Sequence, residues 1–181
     1  MTVKNDFCGN TLEEQAVCAL KDKKLTVATA ESCTGGMVAS RLVNVKGASQ
    51  VFHQGYITYC DEAKHTMLGV SEDTLKKYFA VSSQTACEMA EGGARAAGAD
   101  VCVSVTGVAG PDTEDGKPVG CVYIGCCYRG NTQVREFNFE GDRMSVRCQA
   151  ADEALRFIID TVALSDGNRP QSEYKKEKSG I

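Results

Sequence analysis

Several things are scarce in this sequence of 181 residues, and each scarcity removes a class of function. Only two histidines are present, and the ten cysteines include no C-x-x-C pair, so a zinc site is poorly supplied and no metal is expected. No apolar run approaches the length needed to cross a bilayer, and the opening Met-Thr-Val-Lys-Asn-Asp lacks the apolar core of a signal peptide. A block of Lys and Arg is also missing, and the formal net charge is −4, which argues against a nucleic-acid surface while leaving room for a local anion pocket. A cytoplasmic protein that engages neither membrane nor nucleic acid is the expectation. Most of the cysteines, such as those in Val101-Cys102-Val103 and Gly125-Cys126-Cys127, sit within apolar runs and read as small buried hydrophobes of a reducing compartment. Cys33 is set apart by its place in a motif described below.

What is present is ordinary globular composition, 43% hydrophobic and 24% charged, in a chain long enough to bury one core. Leu12, Ala16, Ala19 and Leu20 form a helical stripe over Thr11 to Lys21, followed by a strand at about 24–30. Met37 to Val43 reads as a short helix that stops near Gly47. Val51 to Cys60 has strand composition, Asp61 is placed to cap a helix through Leu68, Ser71 starts a short helix, and Ser82 or Ser83 starts an Ala-rich one ending at Gly98. Val101 to Val105 is apolar enough for a strand covered on both faces, and the stretches 120–128 and 132–139 flank Arg129-Gly130-Asn131 as a hairpin. Asp142 caps a last helix whose Met144, Cys148, Ala151, Leu155 and Ile158 recur every three or four residues. Helices alternating with strands, then a late antiparallel hairpin, predict one three-layer α/β/α domain over residues 1–164 with a mixed, mostly parallel sheet. From residue 165 to 181 the chain is polar, has almost nothing to bury and is expected to be a disordered tail.

In an open α/β sheet, ligands bind where loops leave the carboxyl ends of parallel strands. Three loops here leave strands with unusual chemistry: Glu31-Ser32-Cys33-Thr34-Gly35-Gly36, Tyr59-Cys60-Asp61-Glu62-Ala63-Lys64 and Thr106-Gly107-Val108-Ala109-Gly110-Pro111. Ser32 stands before a glycine pair that opens a helix and can aim N–H groups at an oxyanion or a phosphate; a plain helix cap is the competing reading. No Ser-His-Asp arrangement is evident, because His53 falls in a strand and His65 in a helix. A neutral lysine can activate a serine instead, and Lys64 lies in the first turn of the helix after Asp61, opposite the competing reading of a solvated lysine. Its ordinary pKa of about 10.4 would have to fall by several units, of which the helix end supplies less than one, so burial must do most of the work. The Thr106 to Pro111 corner reads either as a site for close backbone approach or as a structural turn. Arg143 and Arg147, one turn apart at the start of the last helix, suggest a phosphate cradle built with free helix N–H groups, or else pairs for surface carboxylates.

These motifs together resemble the CinA carboxy-terminal domain family. The similarity rests on Ala30 to Gly36, Gly55-Tyr56 with Tyr59, Lys64 and Leu68-Gly69-Val70, Ala80-Val81-Ser82, Thr106 to Pro111, Lys117-Pro118-Val119-Gly120 and Gly141-Asp142-Arg143, in one order from about residue 11 to 160. The resemblance implies the fold predicted above and, in a stand-alone form of the domain, a serine amidase that converts nicotinamide mononucleotide and water to nicotinate mononucleotide and ammonia without metal or cofactor. By that likeness Ser32 is the nucleophile, Lys64 the base and Tyr59 a residue that relays or orients the proton. Cys33, Thr34, Gly35, Gly36, Thr106, Gly107, Gly110, Arg143 and Arg147 are implied at the substrate, with Arg147 favoured over Arg143. A homodimer or higher homo-oligomer is also implied. Two departures stand out: Phe79 where the family usually has glycine, and the acidic Asp112-Thr113-Glu114-Asp115, whose charge opposes a phosphorylated substrate. A binding or sensor module for nucleotide phosphates, or an amidase for another nucleotide amide, are the alternative functions.

Overall fold

Side-chain caps set most helix starts in the computed structural model, which describes residues 9–164; the tail expected from residue 165 lies outside the described residues. Thr11 and Glu14 form a reciprocal capping box at the start of α1 (Leu12–Asp22). Ser71 accepts from the Asp73 N–H at α4 (Glu72–Tyr78), Ser82 from Thr85 at α5 (Ser83–Ala97), and Asp142 from Ser145 at α6 (Arg143–Ala163). The helix α3 (Asp61–Leu68) departs from expectation: Cys60, not Asp61, is the cap residue, and no side chain caps it. Asp61 lies inside the first turn, where its carboxylate sits 3.7 Å from the Lys64 amine. The short α2 (Met37–Val43) starts from Gly36 in the left-handed region, with no cap of its own.

The strands are β1 (Val27–Glu31), β2 (Phe52–Ile57), β3 (Val101–Gly107), β4 (Cys121–Tyr128) and β5 (Asn131–Asn138), in the sheet order β2-β1-β3-β4-β5. Strand β1 begins later than expected, because Lys24 turns with φ 54° and the Leu25 N–H returns to the Leu20 carbonyl, and it runs on to include Glu31. Strands β1, β2 and β3 are parallel, and β4 runs antiparallel to both of its neighbours, β3 and β5. The β4–β5 connection needs only Arg129 and Gly130, both at positive φ, as in the tight turns that match strand twist. Glu31 is level with Ile57 on one side and with Val105 on the other. One residue further on, the Ser32 N–H bonds the Val105 carbonyl and the Thr58 N–H bonds the Glu31 carbonyl, so Ser32, Thr58 and Thr106 stand at one height.

Alternation sorts the sheet's two faces. Val27, Val101, Val103, Val105, Val122 and Ile124 pack with residues of α1, α2 and α6, whereas Ala28, Ala30, Tyr56 and Cys102 pack with Leu68, Val70, Leu75 and Met89 of the α3–α5 layer. This is the three-layer α/β/α arrangement, with the chain leaving β1 toward β2 on one side while β3 lies on the other. The reversal between β1 and β3 is the switch point where such sheets open a crevice.

Small residues bring α3 close to α5. A Cβ on Gly92 would lie 1.9 Å from the Leu68 carbonyl oxygen at the end of α3, and one on Gly93 would lie 2.6 Å from the Cys102 sulfur. In an open helix Gly to Ala gains up to ~1 kcal/mol, but overpacking of a filled site costs about 1–3 kcal/mol. Gly92→Ala is therefore expected to lower stability by about 2 kcal/mol, read as a reduced urea midpoint. Phe79 shows the opposite case: it is half exposed, at 52%, and holds φ 63° with ψ 177°, a region nearly reserved for glycine. Relief of roughly 1–3 kcal/mol of strain outweighs glycine's entropic cost of ~0.5–1 kcal/mol. Phe79→Gly is expected to raise the thermal midpoint by a few degrees; an unchanged or lower midpoint would contradict this account.

Candidate active site

Because Ser32, Thr58 and Thr106 continue the alternation of parallel strands, all three turn toward the layer that holds α3 and α5. A cleft of about 680 Å³ opens there, within the size range of small-molecule sites. Its walls are the three loops singled out in the sequence: Ser32 and Cys33, then Tyr59 to Asp61 with Lys64, then Thr106 to Pro111. The acidic stretch 112–115 and Arg143 complete the rim.

Lys64 is the largest fully buried side chain, 1% exposed, which removes the solvated-lysine reading. It lines the cleft, and its amine nitrogen lies 3.7 Å from Oδ1 of Asp61. Ser32 is also buried, at 9%, and shares the cleft with it. Its role is not that of an ordinary cap, since the α2 N-terminus is satisfied elsewhere. The Gly36 and Val38 N–H groups donate to Oε2 of Glu31 at 2.9 and 3.1 Å, and the Ala39 N–H donates to Oε1 at 2.9 Å.

That bonding revises the expected oxyanion donors. The Gly35 N–H donates to the Ser32 carbonyl and the Gly36 N–H to Glu31, so neither glycine is free to meet a ligand, and neither lines the cleft. The Thr34 N–H donates to no group among the described residues and is the donor left in that loop, together with that of Cys33. The Thr34 side chain is itself fully buried, with an unpartnered hydroxyl, so this residue offers its backbone and not its side chain.

The two arginines separate, and Arg143, not the favoured Arg147, lines the cleft. Arg147 does not line the cleft: its Nε donates to the Cys33 carbonyl at 3.0 Å and its Nη2 to the Thr34 carbonyl at 2.8 Å. Arg143 does line it, with Nη1 donating to the Gly110 carbonyl at 2.6 Å and Nη2 to the Tyr59 hydroxyl at 2.8 Å. Of the helix N–H groups expected to form a cradle, that of Ser145 is already taken by the Asp142 carboxylate at 2.8 Å. That bond holds the Asp142 carboxyl below its ordinary pKa. An anion at this rim would therefore meet Arg143, whose fork keeps further N–H donors beyond the two in use.

Thr106 and Tyr59 are tied by single bonds. The Thr106 hydroxyl donates to the Ala80 carbonyl at 2.8 Å, which fixes its proton and leaves its oxygen lone pairs toward the cleft. Tyr59 is 61% exposed and accepts from Arg143, so its own phenolic proton is available to a ligand. Gly107 and Gly110 line the cleft, and a Cβ on Gly107 would lie 2.6 Å from the Cys121 carbonyl oxygen. Asp115 is anchored by accepting the Val81 N–H at 3.2 Å, so the acidic stretch is a fixed part of the rim. Sequence reasoning missed Glu31 as a helix cap and Arg147 as a loop clamp; a glutamate at a strand end, five residues before a glycine that opens a helix, was the available signal.

No group of His, Cys, Asp and Glu among the described residues is close enough to hold a metal ion, and no helix among them is long and apolar enough to cross a membrane. The class defined by this fold and cleft is an α/β domain with a serine and a buried lysine at its switch point. A family model for the CinA C-terminal domain matches residues 9–162, and the chain belongs to that family. A relative from Clostridium novyi (strain NT) is 52% identical over 150 residues, or 82% of this chain, yet the chain spans only 36% of that relative's length. Among solved structures, the competence/damage inducible protein CihA from Agrobacterium tumefaciens is 38% identical, with a TM-score of 0.80 over 82% of this chain and 92% of its own. A CinA superfamily protein from Klebsiella pneumoniae is 34% identical, with a TM-score of 0.81 over 85% of this chain and 99% of its own.

Burial also separates Ser32 from its neighbour Cys33 as a nucleophile. Removal from water pushes the Cys33 thiol up to about 12, leaving on the order of 10⁻⁵ of it as thiolate at neutral pH. Iodoacetamide at pH 8 is expected to alkylate exposed Cys60 and Cys148 within minutes and to leave Cys33 unmodified until the protein is denatured. Mass-resolved peptide mapping reads the result, and rapid Cys33 labelling in the native state would reopen a thiol mechanism.

Proposed function

We propose that this protein is a serine amidohydrolase that acts on nicotinamide mononucleotide, with Ser32 and Lys64 as its catalytic pair. The observation that carries the reading is the burial of the Lys64 side chain beside the cleft that also holds Ser32, at the carboxyl ends of parallel strands. A lysine fully enclosed in a helix, with one partly exposed carboxylate at 3.7 Å, is costly as a structural element and apt as a base.

In the proposed reaction the Lys64 amine takes the Ser32 proton and the Ser32 oxygen attacks the carboxamide carbon. The Cys33 and Thr34 N–H groups meet the resulting oxyanion. The protonated Lys64 amine then returns its proton to the departing nitrogen, the C–N bond breaks, and ammonia leaves. Water, deprotonated by the same amine, attacks the acyl-serine and releases the carboxylate. Val108, Ala109 and Pro111 give the pyridine ring an apolar wall, Tyr59 supplies a hydroxyl donor at the mouth, and Arg143 is the cation for the phosphate. This substrate-level reading also draws on the likeness of the motifs to amidases of the family.

The deciding measurement is ammonia release from nicotinamide mononucleotide by wild type, Ser32→Ala and Lys64→Ala. Each variant is expected to lose about three orders of magnitude or more in kcat, while Ser32→Ala keeps its affinity for the substrate. Binding by the wild type without any turnover would favour a sensor, and turnover of another amide alone would move the substrate assignment.

A further inference from the structure

Glu31 directly precedes Ser32, and its side chain is fully buried. A carboxylate in that setting needs donors, and it finds them in the first N–H groups of α2, which a helix cannot satisfy by itself. An ordinary cap acts from the residue at the helix boundary. Here that residue is Gly36, at φ 91° and without a side chain, so the strand end reaches forward across the loop to do the same job. Residues 32–35 are thereby closed into a segment whose two ends are tied to one carboxylate.

The loop's carbonyls are held from the other side. Arg147 donates to the Cys33 and Thr34 oxygens, from one turn inside α6. In a trans peptide the N–H points opposite to the C=O, so a guanidinium that holds the Cys33 oxygen turns the Thr34 N–H away from α6. The neighbouring Gly35 N–H, opposite the Thr34 oxygen, is fixed on the Ser32 carbonyl. These two charged side chains hold three of the four peptides from Ser32 to Gly36, and the fourth is held through the Ser32 carbonyl by the Gly35 N–H.

We propose that Glu31 and Arg147 are positioning residues for the reaction: the carboxylate gathers the loop's donors, the guanidinium gathers its carbonyls, and between them they set Ser32 and the Thr34 N–H. The inference rests on the reading of Ser32 as nucleophile. Neither residue lines the cleft, so their loss is expected to act on the transition state and not on ground-state binding.

Steady-state ammonia release from nicotinamide mononucleotide by Glu31→Gln and Arg147→Ala tests this. The glutamine keeps the shape but turns an amide group toward one of the three N–H donors. In both variants kcat is expected to fall about tenfold or more with KM within roughly threefold, and free guanidinium ion is expected to restore part of the kcat of Arg147→Ala. A raised KM with intact kcat in Arg147→Ala would make it a substrate ligand and overturn the proposal, as would unchanged kinetics in either variant. If Glu31→Gln does not fold, the partly exposed Arg147 decides alone. If the wild type releases no ammonia, the amidase reading fails, and amide hydrogen exchange takes over as the readout. The amides of Gly36, Val38 and Ala39 are then expected to exchange about tenfold faster in Glu31→Gln with β3 unaffected, and equal rates would overturn the positioning role as well.

Discussion

The register of two parallel strand pairs is the constraint on which the rest of this structure depends. Glu31 is level with both Ile57 and Val105, and the next residue of each strand therefore emerges at the same height. Because side chains alternate, a slip of one residue in either pair would send Ser32 or Thr106 into the opposite layer. The register is specified by burial: β1 and β3 are covered on both faces, with valines toward α1, α2 and α6 and alanine or cysteine toward α5. The small residues on the second face are not interchangeable with larger ones, since α5 lies against Ala30 and Cys102 through Gly93. Chemistry at the strand ends is thus a consequence of volume in the middle of the sheet.

The polar groups that this arrangement buries are answered in a hierarchy. Glu31 is matched by three backbone donors, Ser104 by the Ala86 carbonyl at 2.6 Å, and Thr106 by the Ala80 carbonyl at 2.8 Å. The hydroxyls of Thr29, Thr34 and Thr58, by contrast, have no partner. Thr34 lies in the nucleophile loop and Thr58 just past β2, whereas Thr29 is mid-strand in β1 and a fourth unpartnered hydroxyl, that of Thr132, is in β5. Natural structures tolerate such groups chiefly where function asks for them. Lys64 belongs to the same pattern: an amine that costs free energy to enclose, beside the one place where an enclosed amine is chemically useful.

Much of this was legible beforehand. The period of apolar residues, the helix starts at Ser71 and Ser82, the Asp142 cap and the alternation of elements lead to the right layers and to the three loops that line the cleft, because each of those signals is local. What escaped depends on tertiary distance. Asp61 looks like a cap by sequence but is drawn toward Lys64, and no local rule says which of two competing partners wins. Arg143 and Arg147 are equivalent by spacing; only the position of α6 against the nucleophile loop turns one onto backbone carbonyls and the other onto the cleft. The glycine pair reads as a source of free N–H groups until the Glu31 carboxylate is found on one of them.

The separation of the two arginines also bears on the acidic rim. Asp112, Glu114 and Asp115 line the cleft with Asp61, against Lys64 and Arg143, so the lining carries more negative than positive side chains. A dianion would be repelled if these charges acted at full strength. They do not, because the 112–115 stretch is exposed, and charges in water lose most of their effect beyond a Debye length of about 8 Å at physiological salt. Arg143, in contrast, is fixed by two hydrogen bonds and can donate directly to an oxyanion at contact distance, where a charge-assisted bond is least screened. Short-range donation therefore outweighs long-range repulsion at this rim, and the acidic stretch is compatible with a ligand that carries a cationic ring at the serine end and an anionic group near α6.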